Sequence, residues 1–262
     1  MIDRGGKFNT DSKALVNRID AHSAFGTNDL NSWILGNLNL STGCRVLDLG
    51  CGTGKQSIAI AEKIGESGAV TSIDLSDESL KTLRTEAEKL GLTDRISATK
   101  SDLDNIDGVI EENHYDNIVS SYALYYCSDP EKTFSTLYDA LKPGGVIFFC
   151  GPSRENNSEI KSFHYSLAGV SPQMETFASR FMEDDGPEQV KSVFQNIEIR
   201  EFRNPLKFDS SDALYKYWSS YNLYDEELDS IFKERAALHF QSHDHFETVK
   251  RVIGIRAIKP SQ

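Results

Sequence analysis

The stretch VLDLGCGTG, residues 46–54, decides the fold of this chain. Its first four residues, Val46–Leu49, are mostly apolar, which is typical of a strand buried on both faces of a parallel sheet. Three glycines follow at alternate positions, where a backbone can turn sharply and approach a ligand closely: Gly50, Gly52 and Gly54. Residues 55–63 then have the apolar spacing of a helix. The stretch therefore predicts a strand, a glycine turn and a helix whose first N–H groups face a ligand above the turn.

The spacing of the glycines argues against two common phosphate-binding loops. A dinucleotide-binding turn has the pattern G-x-G-x-x-G, and here the third glycine comes one residue early. A P-loop has the pattern G-x-x-x-x-G-K-[ST], and counted from Gly50 the position of its second glycine is held by Lys55. A nicotinamide oxidoreductase is therefore disfavoured, although binding of NAD(H) would restore that alternative.

The same stretch resembles motif I of the class I S-adenosylmethionine (SAM)-dependent methyltransferases, whose pattern is D-x-G-x-G-x-G. The resemblance implies that Asp48 and the glycine loop approach the amino-acid part of SAM, which is zwitterionic and carries no phosphate. A second landmark of that family, LKPGG before an apolar strand, lies at residues 141–145. The resemblance covers about residues 40–150, with its landmarks in the expected order.

Asp74 is the predicted ribose ligand. It ends the apolar run 69–73, which is predicted as the second strand, and it lies 20 residues after Gly54. A carboxylate there can accept hydrogen bonds from both hydroxyls of a ribose, because it offers two coplanar oxygens. The alternative role is a helix N-cap, but Ser76 can supply the cap of the helix predicted at 78–90.

The resemblance also implies contacts with adenine. In the family, an acidic residue after the third strand bonds the exocyclic amine, and an apolar neighbour lies against the ring. Asp102 and Leu103 occupy these positions after the short strand at 96–99. The alternative is a solvated loop carboxylate, since Asp104 and Asp107 lie in the same loop. The complete set of predicted cofactor residues is Phe25, Asp48, Gly50, Cys51, Gly52, Gly54, Asp74, Leu75, Asp102, Leu103 and Ser120.

The segment before the first strand is a candidate cover for the cofactor. In SAM methyltransferases this segment often closes over the cofactor, which implies a contact from Phe25. The favoured alternative is that Phe25 and Trp33 pack the helix around residues 30–38 on the sheet.

The acceptor side is predicted after the fourth strand, at 115–121. Ligands bind beyond the carboxyl ends of parallel strands, so Tyr125 and Tyr126 border the site. Many small-molecule members of the family read S-x-x-L-H-H here, and the two tyrosines replace both histidines, which argues against histidine chemistry at this place. They are predicted to orient the acceptor or the sulfonium, because an aromatic ring stabilises a nearby cation. At least one of them is expected in the core.

His164, which follows the fifth strand, is the best-placed histidine for catalysis. A general base is needed only for a hydroxyl-like acceptor or a protonated amine. The favoured alternative for His164 is a surface or packing role. His243 and His245 resemble metal ligands, but residues at i and i+2 do not share a helical face, and no metal site is predicted.

The composition limits the partners. The chain has 262 residues and a formal net charge of −12, which argues against nucleic acid because phosphate contacts need clustered Lys and Arg. No apolar run approaches the roughly 20 residues that span a bilayer, and the N-terminus lacks an apolar signal core. Four cysteines without a C-x-x-C pair indicate reduced thiols in a cytoplasmic protein. A small-molecule acceptor is the expected partner, and the oligomeric state stays open.

The predicted fold class is α/β: a Rossmann-like, seven-stranded mixed sheet with helices on both faces and a helical lid between the last two strands. The last two strands are predicted at 197–202 and 251–257, and the segment between them is far longer than a hairpin loop. The predicted divisions are a lead-in and cap helix at 1–40, a SAM-binding core at 41–204 and 249–262, and a lid at 205–248.

The predicted function is transfer of the methyl group of SAM to an oxygen or nitrogen of a small-molecule acceptor by in-line displacement. The enzyme must mainly align nucleophile, methyl and sulfur and exclude water. Two further alternatives are a methyltransferase acting on RNA or protein, which a basic patch on the lid would favour, and a non-catalytic SAM-binding module, which would lack an open acceptor pocket.

Overall fold

The structure is a computed structural model, and it describes residues 21–22 and 24–261. The lead-in expected at residues 1–18 lies outside this range. The strands are β1 (Arg45–Leu49), β2 (Ala69–Asp74), β3 (Ile96–Lys100), β4 (Tyr115–Ser121), β5 (Leu141–Pro152), β6 (Ile197–Phe208) and β7 (Phe246–Ile258). The helices are α1 (Leu30–Gly36), α2 (Lys55–Ile64), α3 (Asp77–Lys89), α4 (Pro130–Ala140), α5 (Ser158–Ala168), α6 (Phe177–Arg180), α7 (Gly186–Val193), α8 (Ser211–Ser219) and α9 (Asp229–Phe240). A π-helical turn, Phe181–Asp185, joins α6 to α7.

Within the described residues, the strands form one sheet in the order β3-β2-β1-β4-β5-β7-β6. The pairs from β3 to β5 are parallel. β7 runs in the opposite direction, because Lys259, just past its end, bonds with the start of β5. Lys259 O accepts from Gly144 N, and Lys259 N donates to Gly145 O, both at 2.9 Å. The seven-stranded mixed α/β sheet expected from the sequence is thereby confirmed.

The order of the strands determines where a ligand can bind. Chain order reverses between β1 and β4, which lie side by side although two strands separate them in sequence. Parallel α/β sheets bind ligands in the crevice beyond the carboxyl ends of the strands at such a reversal. The glycine turn follows β1 and the tyrosine segment follows β4, so both lie at this crevice.

The described chain divides into two compact units. The larger unit comprises residues 31–153, 177–201 and 253 onward; the smaller comprises 154–176, 202–252 and the described residues up to Leu30. The insertion expected at 205–248 falls within the smaller unit, where α8 and α9 give it helical structure. Its role as a lid stays a prediction.

The core of the larger unit is built from strands that are buried on both faces. Val46, Leu47 and Leu49 in β1 are wholly buried, as the apolar run predicts. Trp33 packs edge-on against Phe148, with ring centroids 5.3 Å apart. Gly254 leaves room for that contact, since a Cβ there would come within 2.7 Å of both rings. The packing role expected for Trp33 is confirmed.

The smaller unit has an aromatic core. Trp218 in α8 stacks on Phe232 in α9, with ring centroids 4.0 Å apart and planes 11° from parallel. Tyr217 lies against Phe208 at 5.1 Å. Each of these rings is fully or almost fully buried, so this unit has a packed interior of its own.

Several element ends differ from the sequence-based prediction. β5 starts at Leu141 instead of residue 146, because the LKPGG segment pairs with Lys259 and does not form a free turn. β6 continues to Phe208, and β7 begins at Phe246, which shortens the segment between them. α5 ends at Ala168, where Gly169 adopts a left-handed φ of 68° and caps it.

Among the described residues, no helix has both the length and the apolar composition needed to cross a bilayer. All four cysteines lie in the described part of the chain as buried thiols: Cys44, Cys51, Cys127 and Cys150. Burial raises the pKa of Cys44 and Cys51, and it raises the pKa of Cys127 to about 11. The thiols of Cys44, Cys51 and Cys127 are therefore protonated at neutral pH.

Candidate active site

The glycine turn between β1 and α2 is held by main-chain hydrogen bonds. The N–H groups of Gly50 and Cys51 both donate to the carbonyl oxygen of Ile73 near the end of β2, at 2.8 and 3.0 Å. The N–H of Gly54 donates to the carbonyl oxygen of Cys51 at 2.9 Å. The first strand, its turn and the second strand thus form one fixed backbone structure at the carboxyl edge of the sheet.

Gly52 differs from its two neighbours in what surrounds it. All three glycines have left-handed φ values, of 67°, 54° and 88° in chain order. A Cβ would lie 2.2 Å from Ala123 if built on Gly50 and 2.1 Å from Leu83 if built on Gly54. A Cβ on Gly52 would meet no atom within 4 Å. Packing therefore closes the turn at both ends and leaves it open at Gly52, where a ligand can reach the main chain.

Asp48 lies inside the larger unit, directly behind the turn, and only 1% of it is exposed. Its Oδ2 accepts a hydrogen bond from Ser57 Oγ at 2.5 Å, and Ser57 Oγ accepts one from Ser72 Oγ at 2.9 Å. Burial raises the pKa of Asp48, hydrogen bonds from Ser57 lower it, and the charge of Asp74 raises it, with the result at about 6. Asp48 therefore presents no exposed oxygen to a ligand above the turn, and its cofactor role stays a prediction.

Asp74 is held at the turn by two backbone N–H groups. Its Oδ2 accepts from Gly52 N and its Oδ1 from Ser76 N, both at 2.8 Å. Each carboxylate oxygen has two acceptor positions, so each can still accept a hydroxyl. Ser76 Oγ accepts from Ser79 N at 3.2 Å, which confirms Ser76 as the N-cap of α3. The arrangement is a fixed two-oxygen acceptor suited to a vicinal diol.

Asp102 and Leu103 lie after β3, as expected. Asp102 is exposed, and its Oδ1 accepts from Asp104 N at 3.1 Å, which caps the short 3-10 turn Leu103–Asn105. The Leu103 side chain is partly buried against the core of the larger unit. The position permits a contact with adenine, but the cap explains Asp102 as well, and the adenine role stays a prediction.

The remaining cofactor candidates of the larger unit differ in their surroundings. Ser120 is buried, and its Oγ donates to the carbonyl oxygen of Leu49 at 2.9 Å, which ties β4 to β1 beside the turn. Cys51 is buried within the turn. Half of the Leu75 side chain is exposed beside Asp74. Among these three candidates, Leu75 therefore has the most surface available to a ligand.

The chain turns sharply after β4. Tyr122 has a φ of 59°, an unusual value for a bulky residue, and its N–H donates to Cys150 O at 2.8 Å. Tyr125 then lies in the core, whereas 44% of Tyr126 is exposed, and their ring centroids are 4.6 Å apart. Burial raises the pKa of Tyr125 well above its ordinary value, so its phenol is neutral. As expected, one tyrosine is core; the catalytic role of either stays a prediction.

Phe25 and His164 belong to the smaller unit. The Phe25 ring is tilted against Phe208, with centroids 5.0 Å apart, and it packs on the aromatic core. His164 in α5 is buried, and its Nδ1 accepts from the indole N–H of Trp218 at 3.3 Å. Burial lowers the pKa of His164, so its imidazole is neutral at pH 7. Packing contacts account for both positions, and their functional roles stay predictions.

α5 also carries buried polar groups that the sequence analysis missed. Asn157, Lys161 and His164 follow one another at helical spacing, and all three are buried. Lys161 Nζ donates to the carbonyl oxygen of Met174 at 3.0 Å and forms no ion pair with a carboxylate in the described residues. Asn157 Nδ2 donates to Tyr217 at 2.9 Å, while Asn157 Oδ1 has no hydrogen-bond partner within the described chain. Spacing alone would have placed these residues on one face; it gave no sign of their burial.

Within the described ranges, no group of three or more His, Cys, Asp or Glu side chains is arranged to hold a metal ion. His243 stacks on His239, with centroids 4.3 Å apart and planes 4° from parallel. His239 Nε2 lies 3.0 Å from the carbonyl oxygen of His245. These rings are engaged with one another and with the backbone.

A reversal of strand order, an open glycine in a fixed turn and a carboxylate at the end of β2 are the features expected of a class I SAM-dependent methyltransferase. The chain belongs to the family described as methyltransferase domain, which matches residues 40–210. The ubiquinone/menaquinone biosynthesis C-methyltransferase UbiE of Psychromonas ingrahamii is 31% identical over 184 residues, which cover 69% of this chain and 70% of that protein.

Solved structures agree on the fold. A SAM-dependent methyltransferase from Aquifex aeolicus superposes with a TM-score of 0.57 at 17% identity, covering 95% of this chain and 97% of that one. Phosphoethanolamine N-methyltransferase 2 of Haemonchus contortus, in complex with SAM, gives a TM-score of 0.54 at 22% identity, covering 88% of this chain and 52% of that one. The protein is a SAM-dependent methyltransferase, and its cofactor is SAM.

Proposed function

We propose that this enzyme transfers the methyl group of SAM to an oxygen or nitrogen atom of a small-molecule acceptor that carries an acidic group. SAM supplies a methyl group already activated by its sulfonium, so the residues of this chain need only bind, orient and exclude water. The observation that carries the proposal is the buried Lys161, because an ammonium that forms no ion pair within the described residues suits an anionic ligand.

The cofactor roles that we propose belong to residues in the glycine turn and at the ends of the neighbouring strands. Asp74 accepts the ribose hydroxyls, and Gly52 lets the amino-acid part of SAM reach the main chain. Asp102 and Leu103 contact adenine at the end of β3. The support is strongest for Asp74, since both of its oxygens are fixed by backbone N–H groups and both keep a free acceptor position.

The buried polar row at the start of α5, defined as Asn157, Lys161 and His164, is the proposed anion-recognition element of the smaller unit. Lys161 offers an ammonium, and Asn157 offers an amide oxygen without a partner in the described residues. His164 Nδ1 accepts from Trp218, so in the neutral ring Nε2 carries the proton. His164 therefore suits a hydrogen-bond donor to the acceptor better than a general base. Tyr126, whose ring is partly exposed, is the proposed aromatic contact.

The proposal is tested by supplying methyl-labelled SAM together with small hydroxy and amino acids, their neutral analogues, total RNA and a protein mixture. We expect label in acidic small molecules. Lys161→Met should raise KM for such an acceptor about tenfold or more, since a charge-assisted hydrogen bond is lost. The matched control is Lys216→Met, which removes an exposed lysine of the same unit. Label confined to RNA or protein, or an unchanged KM in Lys161→Met, would contradict the proposal.

A carbon acceptor is the second candidate. The relative from Psychromonas ingrahamii is named as a C-methyltransferase, and this specific likeness favours methylation of carbon. NMR of the methylated product decides between the two, because methyl groups on carbon, nitrogen and oxygen resonate at different shifts.

Two further expectations belong to this proposal. The insertion at 205–248 serves as a lid on the acceptor, which its length and aromatic content support; deletion of residues 210–245 with turnover intact would contradict it. The enzyme works in the cytoplasm, which the four buried, free thiols support.

A further inference from the structure

Three buried polar side chains are linked into a chain of hydrogen bonds behind the glycine turn. Asp48 lies in β1, and Ser72 lies opposite it in the parallel register of β2. Ser57 approaches from α2 and stands between them in the hydrogen-bond sequence. Both serines are fully buried. A buried polar chain of this kind is costly unless every member has a partner, so its arrangement calls for a physical reason.

The donors and acceptors fix the direction of this chain. A serine hydroxyl has one proton and two lone pairs. Ser57 Oγ accepts the proton of Ser72, and it directs its own proton to Asp48 Oδ2. If Oδ2 were protonated and donated to Ser57 Oγ, Ser57 would turn its proton to Ser72 Oγ, and the proton of Ser72 would need another acceptor. The chain therefore fits Asp48 as a carboxylate.

The other surroundings of Asp48 oppose that charge. Asp74 at the end of β2 repels it, and the thiol of Cys51 in the turn offers no compensating positive charge. On the β4 side the residue in register is the apolar Val119. Burial adds to the cost of ionisation. The hydrogen bonds from Ser57 are thus the interactions that favour the ionised form.

We propose that Ser57 is a positioning residue for cofactor binding. By donating its hydroxyl proton to Asp48, it keeps a negative charge behind the glycine turn at neutral pH, and that charge attracts the cationic ammonium of SAM. Ser72 acts one step further away, by orienting Ser57. Cofactor binding then releases a proton wherever Asp48 is partly protonated, and affinity falls below about pH 6. This inference concerns the cofactor and does not depend on the acceptor.

The first test uses the unaltered protein. Calorimetric titration with S-adenosylhomocysteine, which keeps the ammonium, is run in two buffers of different ionisation enthalpy from about pH 5 to about pH 8. We expect release of about half a proton near pH 6 and almost none near pH 8, because Asp48 is then already ionised. Binding without proton release across this range would overturn the proposal.

The second test compares two variants that each remove one buried hydroxyl, Ser57→Ala and Ser72→Ala. Ser57→Ala should move the pH profile of affinity upward by about one unit, which makes binding about fivefold weaker near pH 6 and leaves it nearly unchanged near pH 8. Ser72→Ala should move the profile much less, and Ser57→Thr, which keeps the hydroxyl, should restore it. A uniform loss of affinity at every pH in Ser57→Ala, or equal shifts in both Ala variants, would overturn the proposal. The proton-release measurement decides the matter even if a variant does not fold.

Discussion

Each of the two units buries an ionisable group, but the hydrogen bonds that stabilise its charge differ between the units. In the larger unit, Asp48 is backed by two serine hydroxyls. In the smaller unit, Lys161 donates to one carbonyl oxygen and has no carboxylate partner in the described residues. Burial disfavours both charges, since it raises the pKa of Asp48 to about 6 and lowers the pKa of Lys161. The carboxylate has internal support, whereas the ammonium has little.

The difference follows from what each group is proposed to bind. SAM is the same cation for every SAM-dependent methyltransferase, so its site can be completed in advance by the main chain and by short side chains. An acceptor is particular to one enzyme, and a group that recognises it is better left with free hydrogen-bonding capacity. If protein groups already filled every hydrogen bond of the Lys161 ammonium, a ligand would add little binding free energy there. We therefore distinguish a cofactor site that is preorganised from a recognition group, Lys161, whose hydrogen bonds are completed only by its ligand.

The largest expected effect comes from a substitution that tests whether packing closes the glycine turn at Gly50. Gly50→Ala places a Cβ 2.2 Å from the Cβ of Ala123, which cannot rotate away, so the backbone must move. We expect a loss of about 2–5 kcal/mol in the free energy of unfolding. Gly52→Ala is the matched control, because its φ is similar but its surroundings are open; it should cost about 1 kcal/mol. Urea denaturation measures both, and equal losses would contradict a turn closed at Gly50 and open at Gly52.

A second prediction concerns the stability cost of the charge on Asp48. Its folded pKa of about 6 lies above the ordinary value of 3.8. The protonated carboxyl of Asp48 therefore contributes fully to stability below about pH 4, and this contribution is lost as the pH rises through 6. The loss is about 3 kcal/mol. Asp48→Asn, which keeps an acceptor for Ser57, should therefore be more stable than the unaltered protein at pH 7 without cofactor and should bind S-adenosylhomocysteine less tightly. Denaturation at about pH 4 and about pH 7 measures the difference; an Asn variant that is less stable at pH 7 would contradict it.

The sequence predicted the first strand, the glycine turn and the position of Asp74 well because their signals are local. The turn, the strand before it and Asp74 lie within one strand–helix–strand stretch, and their spacing alone specifies the geometry. The bond from Ser72 through Ser57 to Asp48 was missed because it depends on which β2 residue faces Asp48 in the register. The start of β5 was misplaced for a similar reason, since its partner Lys259 comes from the far end of the chain.

The smaller unit was predicted less completely. Its helices were expected from their apolar spacing, but the burial of Lys161 was not, because it depends on the segment that contains Met174. His164 was proposed from its place in the chain, and its contact with Trp218 joins two segments that are far apart in sequence. Long-range contacts of this kind leave no local pattern, so spacing could suggest these residues but not their hydrogen-bonding state.

A third prediction addresses the proposed ribose acceptor. Asp74→Ala removes both oxygens that are fixed by Gly52 N and Ser76 N, and it should weaken SAM binding by about 1–3 kcal/mol. The control is Asp77→Ala, which removes an exposed carboxylate from the first turn of α3. Calorimetry measures both affinities. Unchanged affinity in Asp74→Ala would remove the ribose assignment and leave the turn as the main cofactor contact.

The smallest expected effect concerns a charged group of the smaller unit that does have a partner. Glu159, two residues before Lys161, bonds Arg251 with Oε1 2.7 Å from Nη2, and its Oε2 accepts from Val249 N at 3.0 Å. Burial alone would raise the pKa of Glu159, but these hydrogen bonds lower it to about 2. The contribution of Glu159 to stability is therefore present above its ordinary pKa of 4.5 and is lost as the pH falls toward 2.

Because the Glu159 side chain is about one third exposed, solvent reduces this contribution to about 1 kcal/mol. Glu159→Gln should lose that amount at neutral pH and approach the unaltered protein in acid, as measured by denaturant unfolding. Lys161→Met should instead leave the free energy of unfolding unchanged or raise it, because it removes a buried charge that lacks a carboxylate partner in the described chain. If Lys161→Met instead destabilised the protein as Glu159→Gln does, Lys161 would be an ordinary structural residue, and the contrast between a completed cofactor site and an incomplete acceptor site would fail.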